Sequence, residues 1–189
     1  MRRFGFALAV ALAAGPAMGN PLVDAIKSDG GMVCFTRSYD ARWLKAHRGQ
    51  TVREVRFAIT ADGTLRMSMA GRGQPIYVFG SCSWAAGDLN RGVANRILIA
   101  TFAPTTGVAC HMMTDVTGAS AEEGGDFPVD WRDGRTIELH LNDYLAAWRS
   151  HDVRRAATWP DLAAGDRIFR LNRASPSACR ALVSKFAPD

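Results

Sequence analysis

The chain has 189 residues, 48% of them hydrophobic, with 23 Lys and Arg against 18 Asp and Glu, a formal charge of +5. That length and apolar content suit one domain with a real core, and the modest charge gives no footprint of a nucleic-acid binder. No apolar run reaches membrane-spanning length, and beyond the first residues the best, ILIATFA at 97–103, is bounded by Arg96 and Pro104.

The first residues have the layout of a secretory signal peptide. Arg2 and Arg3 form a positive n-region, Phe4 to Ala14 an apolar run, and Ala17-Met18-Gly19 a small-x-small cleavage site. Residues 1–19 are therefore expected to be removed, leaving residues 20–189 as a single domain. Without Arg2 and Arg3 the balance is 21 basic against 18 acidic residues, a charge of +3. The expected location is periplasmic or secreted.

All four cysteines, Cys34, Cys82, Cys110 and Cys179, lie in the mature part. An even count in an exported chain reads as two disulfides, for which three connectivities exist. The favoured pairing joins Cys82 to Cys110, tying two middle strands, and Cys34 to Cys179, tying the first strand to the last helix. Each would close a loop worth about 3–5 kcal/mol in chain-entropy models. No CxxC spacing supports zinc.

In chain order, residues 20–31 read as a polar lead-in ended by the Asp29-Gly30-Gly31 turn, and MVCFTR at 32–37 as a strand. Asp40 can cap a short helix in which Trp43, Leu44 and His47 share a face. TVREVRFAIT alternates, with Val55, Phe57 and Ile59 on one face. It turns at Ala61-Asp62-Gly63 and resumes through Leu65, Met67 and Met69, a hairpin. IYVFGSCSW at 76–84 and VACHMMT at 108–114 are further strands, with ILIATF between them a candidate central strand. RTIELHLND alternates with Ile137, Leu139 and Leu141 inward and Glu138 and His140 outward. A short YLAAWRS helix capped by Asp143 is expected next, then a strand at DRIFRL. Ser175-Pro176 starts a last helix whose Cys179, Leu182, Val183 and Phe186 form one stripe. The fold expected is mainly β: an antiparallel sandwich or partly closed barrel with two or three short helices, one of them C-terminal.

Chemistry concentrates between Val108 and Trp131. The acidic loop offers Asp115, Glu122, Glu123, Asp126 and Asp130, with carbonyls at Gly124-Gly125, as oxygen ligands for calcium. The spacing is not that of an EF-hand, and a solvated surface loop is the plainer reading. His111 lies beside Cys110 and four residues before Asp115. A hydrolase would use it as general base oriented by Asp115 or Asp126, with a serine or water as nucleophile. No GxSxG elbow accompanies it, SCSW at 81–84 lacks the flanking glycines, and a structural histidine is the plainer alternative. His111 with Met112, Met113, Met67 and Met69 raises copper, but methionines alternating on strands are more often core filler. Trp84 and Trp131 flank the two least regular loops, which also carry Asn90 and Asn95. The leading functional expectation is non-catalytic binding of a cell-envelope ligand or a protein partner through the 85–96 and 114–131 loops. Its rival is a hydrolase working through His111.

Overall fold

The computed structural model describes residues 20–86, 106–114, 124–142, 144–150 and 156–185. The expected signal peptide, ILIATFA, Asp143 and the basic stretch 151–155 lie outside these residues. Eight antiparallel strands close into a barrel in simple sequence order. They are β1 (Met32–Ser38), β2 (Val52–Thr60), β3 (Thr64–Gly71), β4 (Ile76–Ala86), β5 (Thr106–Met112), β6 (Asp126–Trp131), β7 (Thr136–His140) and β8 (Ile168–Ala174). Because β1 pairs with both β2 and β8, the sheet has no free edge at closure. Of the two expected architectures the structure is a barrel, and it is fully closed.

The alternation read from the sequence decides which side chains point in. Phe35, Phe57, Ile59, Leu65, Met67 and Phe169 are fully buried in one continuous core. Phe57 sits 6.5 Å from both Phe35 and Phe127, ring centroid to centroid. An eight-stranded barrel has room for about one layer of side chains around its axis, and here they fill it. Met67, Met69 and Met112 are part of that filling.

Among the described residues, three α-helices decorate the barrel. The first, α1 (Pro21–Ser28), replaces the expected lead-in. Asn20 caps it by accepting from the backbone N–H groups of Leu22 (3.1 Å) and Val23 (3.2 Å), and Pro21 stands in the first turn. Leu22, Ala25 and Ile26 join the core, so the helix stoppers one end of the barrel. Asp40 caps α2 (Ala41–Ala46) as expected, accepting from Trp43 N–H at 2.7 Å. The C-terminal α3 (Ser177–Lys185) lies on the outer wall. Its Cys179 is bonded to Cys34 and is buried with Ala58, an outward residue small enough for the helix to approach. The other disulfide joins Cys82 to Cys110, a directly opposed pair of β4 and β5 inside the barrel. Both pairings are the favoured ones.

The expected YLAAWRS helix is absent from its described part. Leu145, Ala146, Ala147 and Trp148 are buried one after another. Leu145 and Ala147 go to the barrel core, Ala146 and Trp148 to a second cluster outside it with Phe79 and Leu182. That is a period of two, which only an extended chain supplies. Trp148 and Tyr77 exchange two backbone hydrogen bonds of 2.8 Å. The same connection passes so close to the α2–β2 link that a Cβ on Gly165 would lie 2.5 Å from the Gly49 carbonyl carbon. This approach brings the buried Asp166 to Thr51 and Val52, whose backbone N–H groups donate to it at 3.0 Å. The Thr51 hydroxyl donates as well.

Candidate functional site

His111 lies on the outer face of β5, between inward Cys110 and Met112. The register sets Asp126 of β6 directly beside it on one side and Ser81 of β4 on the other. Its Nδ1 is hydrogen-bonded to Asp126 Oδ1. The histidine side chain is 38% exposed and the carboxylate 15%, so the pair sits at the surface with the acid the better shielded partner. Asp126 is held in turn by its backbone, whose carbonyl accepts from Asn142 Nδ2 at 2.7 Å.

The Asp126 position depends on two glycines. A Cβ on Gly125 would fall 1.9 Å from the Tyr144 carbonyl oxygen, and one on Gly124 2.0 Å from that of Met112. Gly125 also has a φ of 87°, where other residues are strained. Only glycines let the chain enter β6 this close to its neighbours. Their carbonyls, read from the sequence as candidate calcium ligands, accept from Ala146 N–H (2.8 Å) and Met112 N–H (2.7 Å).

The other sequence-derived residues are distributed as follows. Asp115, Glu122, Glu123, Asn90 and Asn95 lie outside the described residues. Asp130, four residues along β6 from Asp126, is paired with Arg132 at 2.9 Å. Arg132 also reaches Glu138 at 3.3 Å, and Glu138 contacts His140 at 3.1 Å, forming a charge ladder across β6 and β7. Both described members of the acidic set thus face a basic group. Trp131 is buried, with its ring 5.3 Å from Phe35 and 6.2 Å from Trp84. The two tryptophans line the inside of the barrel near the α1 end, Trp84 being the half-buried one.

Antiparallel order adds a constraint on the two loops. β4 ends where β5 begins at the α1 end, with Ala86 opposite Thr106, whereas β5 ends and β6 begins at the far end. The strand ends that flank 87–105 and those that flank 113–125 are therefore at opposite ends of the barrel.

No family model matches the chain, and neither do curated proteins or solved structures. The chemistry has to be read from the residues.

His111 with Asp126 has the nitrogen order of a hydrolytic dyad: a carboxylate on Nδ1 fixes the tautomer that leaves Nε2 to take a proton. Ser81, which sequence reading left aside for want of an elbow motif, is the hydroxyl that strand register brings next to the ring. Register alone reveals it, because a serine 30 residues upstream has no local signature. The alternative is mundane: opposed polar residues on neighbouring strands pair routinely and stabilise a sheet surface.

Proposed function

We propose that the protein is an exported, non-catalytic binding protein for a cell-envelope ligand or a protein partner. The observation that carries this reading is the filled barrel: Phe57, Met67, Val129, Leu139 and Leu171 are all inaccessible to solvent. A barrel packed this way is a scaffold, and what it binds is met by its ends, its outer wall and the loops they carry. The 85–96 and 114–131 segments remain the binding elements in this reading. The strand ends beside 87–105 and beside 113–125 lie at opposite ends of the barrel, while Trp84 and Trp131 stand together near the α1 end. The two disulfides keep the scaffold rigid, which suits export and lowers the ordering cost of binding.

The hydrolase reading is favoured by one specific feature, the Ser81–His111–Asp126 row. A single comparison separates the two. Oxidised wild-type protein, His111→Ala and Asp126→Asn are immobilised, challenged with envelope extract, and assayed in parallel on ester and glycoside substrates. Retention of the same component by all three, with no turnover, is the expected result. Turnover by wild type that both variants lose by about 100-fold or more, the usual size of a general-base contribution, would replace the binder with the enzyme.

A further inference from the structure

Around α2, at the end of the barrel opposite α1, the surface opens into a cleft of about 480 Å³. Its charged lining is Lys45, Arg48, Arg53 and Arg72, and no carboxylate lines it among the described residues. All four side chains belong to exposed residues, and none forms an ion pair among the described residues. The neutral polar groups beside them are already engaged. Gln50 accepts from Trp43 Nε1 at 2.9 Å and donates to the Val52 carbonyl at 3.0 Å. The Thr51 hydroxyl is taken by Asp166. Tyr39 also borders the cleft, and its hydroxyl has no hydrogen-bond partner among the described residues. Burial pushes its phenol up from the ordinary range, so the group stays protonated and donates.

The unengaged polar side chains of the lining can all donate, and four of them carry positive charge. The nearest described carboxylate, Asp166, lies buried beneath the cleft and is taken by Thr51 and Val52, so the four cations repel one another, a cost that a bound anion reverses. The volume lies within the about 300–1,000 Å³ typical of small-molecule sites, which leaves room for more than a bare oxyanion. We propose that this cleft binds a phosphate ester, its oxygens held by Lys45, Arg48, Arg53 and Arg72 and by the Tyr39 hydroxyl. The arginines supply forked, charge-assisted donors that match phosphate oxygens, and Lys45 adds a mobile point charge. The site stands whether the chain is a binder or a hydrolase, because it shares no residue with the Ser81–His111–Asp126 row.

The test is calorimetric titration of the oxidised protein with glucose 1-phosphate and with glucose. Sedimentation with phosphatidylglycerol and with phosphatidylcholine vesicles runs alongside. Saturable binding of glucose 1-phosphate but not glucose is expected. Loss of two charge-assisted contacts in Arg53→Gln/Arg72→Gln should weaken it at least about tenfold. Lys45→Gln/Arg48→Gln should repeat the loss from a different element, so a folding fault in one pair cannot imitate it, and Arg132→Gln should bind normally. Binding confined to phosphatidylglycerol vesicles, and lost in the same pairs, assigns the phosphate to a lipid headgroup. Failure of both phosphate probes, equal binding of glucose, or binding indifferent to both double variants overturns the proposal.

Discussion

At the α1 end of the barrel, Arg173 reaches under the helix and every part of its guanidinium is met. Its Nε and Nη2 contact Asp29 at 3.0 and 2.9 Å, Nη2 also donates to the Ala25 carbonyl and the Ser28 hydroxyl, and Nη1 to the Gly134 carbonyl. At the α2 end, Lys45, Arg48, Arg53 and Arg72 line a cleft with no carboxylate among the described residues, while buried Asp166 beneath it is bonded to Thr51 and Val52. The charge of Arg173 is neutralised within the fold and joins α1 to the barrel. At the second end the four cations form no ion pair among the described residues, which is the arrangement the proposed phosphate site requires.

That contrast can be broken from the structural side, beginning with Asp166. Replacing it with alanine leaves a buried backbone N–H on Val52 and two groups on Thr51 without their acceptor. The expected loss is about 3 kcal/mol, read as a lower denaturation midpoint. It would show that the α2 end also rests on a structural charge, but a negative one beneath the cleft. Arg173→Ala should cost about 2 kcal/mol, since its contacts are charge-assisted yet partly solvated. Hydrogen exchange should place that loss in α1, which has little else polar joining it to the barrel. A change below 0.5 kcal/mol in Arg173→Ala would remove the distinction between the ends.

The legibility of these features in the sequence follows from how far apart their partners lie. The hairpin of β2 and β3, the Asp40 cap and the stripe of α3 rest on neighbours a few residues away, and pattern reading finds them. The disulfides join cysteines 145 and 28 positions apart, and their pairing follows from which elements carry each cysteine and not from local spacing. The helix α1 is harder to read, because its eight residues carry only one buried turn, Leu22, Ala25 and Ile26, between the Asn20 cap and the Gly30-Gly31 turn, and the rest of 20–31 is polar. In the segment 144–148 Leu145 and Trp148 also fit a helical spacing, and only the barrel supplies the two opposed apolar surfaces that make it extended. Ser81 beside His111, and Arg173 beside Asp29, are products of register and could not be seen in either segment alone. The cationic cleft did leave a trace: residues 41–53 contain Arg42, Lys45, Arg48 and Arg53 and no acid. Arg72 had to be folded in from another hairpin.

The smallest expected effect concerns acid, and it belongs to the α1 end alone. Two turns there hold carboxylates below their usual range. Asp62 is lowered chiefly by the Thr60 hydroxyl, with help from the Thr64 N–H at 3.0 Å. Asp133 is lowered by the N–H groups of Arg135 (2.9 Å) and Thr136 (2.8 Å). A depressed folded-state pKa contributes stability that is present above the unfolded value, near 3.9 for aspartate, and is lost as pH falls through the folded one. Denaturant midpoints measured from neutral pH downward should therefore drop in wild type within and below the carboxylate range. In Asp62→Ala and Asp133→Ala the neutral-pH midpoint should be slightly lower and the acid slope shallower, so that the curves converge with wild type at the acid extreme. Both groups are largely solvated, so the shift is small and high salt should shrink it only modestly, because hydrogen bonds and not distant charges cause it. If the variants instead kept the full acid slope, the depression would lie elsewhere in the fold, and the α1 end would lose its claim to being the acid-sensitive half of the barrel.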